Sequence, residues 1–179
     1  MATFTANSIQ LGTGAQFVGT TNGLSDAPTG TIIQTAINGT TNNITANSDG
    51  SYADLLSLSF TPRQSNSKII FTIMFNAYYH NGSSGTSQGA SYRLLRDSTS
   101  IKEGTWTFYL HESGYARDYY PTVSTFGFDV PGVTNAITYK LQGRKYSGNS
   151  DRFATQFGEA QNSSVVGDTM VMKLEELSV

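Results

Sequence analysis

The chain contains no cysteine. A disulfide framework, a thiolate zinc site and a cysteine nucleophile are thereby excluded, and stability has to come from packing, hydrogen bonds and assembly. Charge is scarce as well: 13% of the 179 residues are Asp, Glu, Lys or Arg, against roughly 25% in an average soluble domain. With a net charge of −2 and scattered Lys and Arg, there is no basic stripe, so nucleic acid is not an expected partner. No window approaches the roughly 18 apolar residues of a membrane span. The opening MATFTANSIQ lacks the charged and apolar regions of a secretory signal. The expectation is a soluble product that does not insert into membranes.

Ser, Thr, Asn and Gly take the space that charge leaves, together with ten Tyr and ten Phe. Disordered chains are poor in aromatic and β-branched residues, so this mixture points to β-structure with polar loops. The length suits one domain with a short extension.

The segment Lys68 to Ala77, KIIFTIMFNA, is the most informative. As a β-strand it sends Ile69, Phe71, Ile73 and Phe75 to one face, and Ile70 and Met74 to the other with Thr72 and Asn76 between them. A sandwich strand needs one apolar face. The second asks for cover, and Ile70 and Met74 are the expected subunit-interface residues.

Other strands are expected at Thr31–Asn38, Asp54–Phe60, Ala90–Arg96, Ile101–Trp106, Thr122–Val130, Asn135–Arg144, Phe153–Phe157 and Asp168–Leu177. They are short and separated by Gly, Asn, Ser and Asp clusters, the rhythm of an all-β sandwich or jelly roll. The inward sets are Leu56, Leu58 and Phe60, and Met170, Met172 and Leu174; Phe126, Phe128 and Val130 share one face of their strand, as do Ile137, Tyr139 and Leu141 of theirs. Asp97 to Ser100 reads as a four-residue hairpin loop, and His80 to Gly89 as a loop tip.

Ahead of these strands, Met1 to Thr29 spreads Phe4, Ile9, Leu11, Phe17, Val18 and Leu24 without a helical or strand period. It reads as an extended arm (1–29) attached to a domain (30–179), with Ala27-Pro28-Thr29-Gly30 as the boundary.

Catalytic chemistry has little to work with. There are two histidines, His80 beside a Gly/Ser loop and His111 in YLHESGY, and both read as surface residues. His111 and Glu112 are neighbours on a strand and point to opposite faces, so they do not ligate a metal together. No nucleophile elbow, H-E-x-x-H pair, P-loop or calcium loop occurs. The expectation is a non-enzymatic protein with no catalytic residues, cofactor or metal. Aromatic residues cluster instead, and Tyr78, Tyr79, Trp106, Tyr119 and Tyr120 are candidate receptor or partner contacts, the competing reading being that they complete the core.

Four phrases, GTIIQ (Gly30–Gln34), SNSKIIF (Ser65–Phe71), YRLLRDSTSI (Tyr92–Ile101) and ITYKLQGR (Ile137–Arg144), together resemble the small jelly-roll virion surface proteins of tailed bacteriophages, notably phages of cyanobacteria. These occur as head decorations and appendage tips. The resemblance covers most of Gly30–Val179 and implies an antiparallel jelly-roll sandwich similar to tumour necrosis factor, assembled as a homotrimer. It also implies a place on the virion surface after assembly in the host cytoplasm. The arm has neither the heptad nor the repeat of a fibre shaft. A capsid decoration or cement protein is therefore expected, with Phe4, Ile9, Leu11, Phe17 and Val18 as attachment residues and the major capsid protein or another virion protein as partner. The alternative is a short tail fibre or spike tip that binds a host surface glycan.

Overall fold

The computed structural model describes residues 9–11, 15–17, 27–41, 44–45, 50–81, 86–103, 108–112, 117–145, 155–157 and 170–179. Within them every regular element is a strand: β1 (Ile9–Leu11), β2 (Ala15–Phe17), β3 (Ile32–Thr40), β4 (Ile44–Thr45), β5 (Ala53–Phe60), β6 (Lys68–Asn81), β7 (Thr86–Arg96), β8 (Thr99–Glu103), β9 (Phe108–Glu112), β10 (Arg117–Tyr119), β11 (Thr122–Asp129), β12 (Ile137–Lys145), β13 (Thr155–Phe157) and β14 (Met170–Leu177). Two antiparallel sheets result. One has the order β3-β14-β6-β11 and the other β5-β12-β7-β8.

Strand β6 is the spine. Its first part pairs with β14 on one side and β11 on the other, and its last residues pair with β13 and β10. At about 3.3 Å per residue, its 14 residues carry it past the end of β14. The chain therefore stays extended through His80 and Asn81, and β7 already begins at Thr86. Most of the expected loop tip is strand.

The core lies between the sheets. Ile69, Phe71, Ile73, Phe75, Met170, Met172 and Leu174 from the first sheet meet Phe60, Leu94, Ile137, Tyr139 and Leu141 from the second, all buried. Phe75 and Tyr92 meet edge to face, with ring centroids 5.8 Å apart, the arrangement that ring quadrupoles favour. In β5 the period breaks. Leu141 pairs with Leu56 and Gln142 with Asp54, so Leu55 is an extra residue in a bulge and is buried beside Leu56.

Two local features secure the frame. Asp97 takes a φ of 52°, a left-handed conformation that Asp tolerates, and its carboxylate accepts the Thr138 N–H at 2.9 Å. The β7–β8 connection is consequently the two-residue turn Asp97-Ser98 in place of the expected four-residue loop. Glu176 is fully buried; its carboxylate accepts the Arg63 N–H (2.8 Å), the Gln64 N–H (3.0 Å) and the Ser67 hydroxyl (2.7 Å). The β5–β6 loop is thus held by one carboxylate, whose burial is compensated by charge-assisted hydrogen bonds.

Candidate assembly surface

In an antiparallel ladder, directly opposed residues share a face. On the outward side of the first sheet, Phe126, Thr72, Lys173 and Ile37 form one row, and Phe128, Ile70, Glu175 and Thr35 the next. Ser124, Met74, Val171 and Gly39 form a third. The result is an apolar face open to solvent: Phe126 is 78% exposed, Phe128 64%, Ile37 63%, Met74 49% and Val130 48%. Ile70 is half-buried.

Phe126, Phe128 and Val130 share one face, as expected from the sequence, and that face is the outward one. The inward positions of β11 are Val123 and Thr125, both buried, and Gly127. A Cβ on Gly127 would stand 2.5 Å from the Phe71 Cζ. Phe71 of β6 already fills that space, so only the bare glycine fits, and the two phenylalanines flanking it are turned out.

Polar contacts lie within and beside this face. Lys68 Nζ stands 5.5 Å from the centre of the Phe128 ring, a cation–π contact. Lys102 Nζ donates to the Phe126 carbonyl at 3.5 Å, and Lys173 pairs with Glu175 at 2.6 Å. At the lower end of β11, Arg96 bridges both Asp129 oxygens at 2.9 Å, and the Tyr139 hydroxyl donates to the same carboxylate at 2.8 Å. Burial, then this bond to Asp129, pushes the Tyr139 phenol far above its ordinary range. The end of the face is therefore tied to the second sheet.

Of the predicted interface residues, Ile70 and Met74 both lie on this face, as their alternation in the sequence requires. Among the arm residues, Ile9, Leu11 and Phe17 lie in strands: Ile9–Leu11 pairs with Ala15–Phe17 as a two-stranded ladder, where the sequence showed no period. Phe4 and Val18 lie outside the described residues. Tyr78 and Tyr79 are strand residues of β6 facing β13, with Tyr79 also opposite Tyr119 of β10. Tyr120 is 48% exposed between β10 and β11, and Trp106 lies outside the described residues. His80 is opposite Asp118 in β10, and His111 opposite Ser87 in β7. Among the described residues, no group of three or more His, Asp or Glu is arranged to hold a metal ion.

No protein-family model and no curated protein matches the chain. Among solved structures, it aligns with an IBDV viral particle over 83% of its length and 37% of that chain, at 8% identity and a TM-score of 0.41. It aligns with the VP2 subviral particle of infectious bursal disease virus over 82% and 42%, at 8% identity and a TM-score of 0.34. Dimeric latent PorU from Porphyromonas gingivalis aligns over 89% of this chain and 14% of its own, at 12% identity and a TM-score of 0.34. The chain spans about two fifths of the viral chains it matches. At these scores the alignments carry no assignment of role.

Proposed function

We propose that this chain is a non-enzymatic structural component of a virion, a jelly-roll sandwich that assembles as a homotrimer through the outward face of β3, β14, β6 and β11. The observation that carries the reading is that face, with Phe126 and Phe128 on β11, Met74 on β6 and Ile37 on β3 between 49% and 78% exposed. Contiguous apolar patches beyond a few hundred Å² are uncommon on monomers and mark interaction sites. A copy of the same chain is the covering partner favoured here, because the exposed apolar side chains spread over three strands of one sheet and the charges beside them are already paired within the chain, Lys173 with Glu175 and Arg96 with Asp129, as at a subunit contact.

The wrapping of the chain supports the jelly-roll part. The strands β3, β5, β6, β7, β8, β11, β12 and β14 change sheet at every step except β7 to β8, and give β3-β14-β6-β11 over β5-β12-β7-β8. Double-sheet jelly rolls wrap in this manner. The four phrases that resemble phage surface proteins fall on the start of β3, the start of β6, the β7–β8 hairpin and β12, so the resemblance follows the sandwich.

Decoration of the head is the role that best joins a self-associating sandwich to a leader of 29 residues. Three leaders on one trimer would bind neighbouring capsid subunits, each raising the effective concentration of the others. Ordering a leader costs roughly 1–2 kcal/mol per residue of backbone entropy, which burial of Phe4, Ile9, Leu11, Phe17 and Val18 on the shell would offset. Immunogold labelling of virions tests the placement. Label over heads is expected; label at the tail tip would replace decoration by the fibre-tip alternative, and virions without label would overturn the structural role.

A further inference from the structure

The outward face of the second sheet carries a different feature. Tyr139 and Leu141 of β12 are buried, so Lys140, Gln142 and Arg144 point outward. Arg93 of β7 stands opposite Gln142, and Ser91 opposite Arg144. The guanidinium carbons of Arg93 and Arg144 lie 4.0 and 4.7 Å from the centre of the Tyr52 ring. Two cations thus converge on one aromatic ring.

Their orientation is fixed through one nitrogen each. Arg93 Nε donates to Gln142 Oε1 at 2.7 Å, and Arg144 Nε donates to Ser91 Oγ at 3.0 Å. Among the described residues, neither guanidinium forms a direct ion pair: Asp54, which feels the Arg93 charge, pairs with Lys140 at 2.9 Å, and Glu103 is opposite Arg93 in the ladder without an ion pair to it. The terminal nitrogens of two pre-oriented forks are therefore left for an external oxyanion, the geometry with which Arg recognises carboxylates.

We infer that Arg93, Arg144 and Tyr52 form a binding site for the carboxylates of an acidic polysaccharide. The surroundings favour sugar over an acidic peptide. Strand β12 is paired on both sides, and so is β7, so a peptide cannot dock here by strand addition. Gln142, Asp54 and Lys140 beside the forks offer the mixed donors and acceptors that hydroxyl groups need. This site lies on the opposite sheet from the assembly face and does not rest on that reading.

The test is binding of the full chain to polygalacturonate at about 0.15 M salt, with neutral dextran, polyglutamate of matched length and free acetate alongside. Saturable binding to polygalacturonate and none to dextran is expected. Arg93→Gln with Arg144→Gln should weaken it by about tenfold or more, the scale of losing charge-assisted hydrogen bonds. Should that variant not fold, Arg93→Lys with Arg144→Lys keeps the charges, removes the forks and should also weaken binding. Equal affinity for polyglutamate would overturn the polysaccharide assignment, and full displacement by acetate near the site concentration would reduce it to a free-anion site. Unchanged affinity in a folded variant would overturn the site itself.

Discussion

Replacing Phe126 and Phe128 by serine should dissolve the assembly and leave the protomer intact. Each ring carries about 200 Å² of apolar surface; at 78% and 64% exposure, about 155 and 130 Å² stay in water on a lone chain. Covering that area is worth about 4 and 3 kcal/mol at roughly 25 cal/mol per Å², before the cost of association is subtracted. A loss of about 2–4 kcal/mol per contact is the usual range for an aromatic anchor, which corresponds to roughly 30-fold to 1,000-fold weaker association. Sedimentation velocity over a concentration series reads this directly: the parent chain should sediment as three copies and the variant as one. Because both rings already face solvent in the protomer, the melting temperature of the dissociated chain should move little, whereas Phe71→Ala, in the core, should cost about 3–5 kcal/mol. A parent chain that stays a single copy at every concentration, or a Phe126→Ser, Phe128→Ser variant of unchanged mass, would refute the reasoning.

Further outcomes follow from the same geometry. Glu176→Ala leaves the Arg63 and Gln64 N–H groups without their acceptor, while the Ser67 hydroxyl keeps the Gln64 carbonyl, and should lower urea stability by about 2–4 kcal/mol. Gly127→Ala drives a methyl into the Phe71 ring and should cost about 1–3 kcal/mol in a thermal melt. Deleting residues 1–29 should abolish attachment to heads in a co-sedimentation assay while the sandwich keeps its β-rich circular dichroism. The Gln142 hydrogen bond, opposed by burial and joined by the Lys140 hydrogen bond and charge and the Arg93 charge, holds the Asp54 carboxyl below its ordinary 3.8. Its stabilisation is therefore complete above about pH 4 and is lost as pH falls through the lower folded value. The pair is largely exposed, so Asp54→Asn should flatten the acid limb of the stability profile only slightly.

Alternation alone made much of this fold legible. In β12 and β14 buried and half-buried residues alternate, so Ile137, Tyr139 and Leu141 share one face, the inward one, and Met170, Met172 and Leu174 face inward as the sequence reading has them. The same logic placed Ile70 and Met74 on the far side of β6. On β11 it grouped Phe126 and Phe128 on one face but did not say which, because nothing in TVSTFGFDV shows that the glycine position of the other face is already filled by Phe71 from a distant strand. It also missed Arg93, Arg144 and Tyr52, since three residues separated by dozens of positions carry no spacing signal until the β5-β12-β7 order brings them together.

The sequence by itself determined the all-β class, most strands of the sandwich and the doubly apolar spine, because those depend on side-chain period and local turn chemistry, which are written in neighbouring residues. Only the tertiary structure decided which face of β11 meets water, how the strands are ordered and where the Arg93 and Arg144 guanidinium groups converge on Tyr52. Those depend on the volume and charge already present when distant strands pair, and such information belongs to no single stretch of chain.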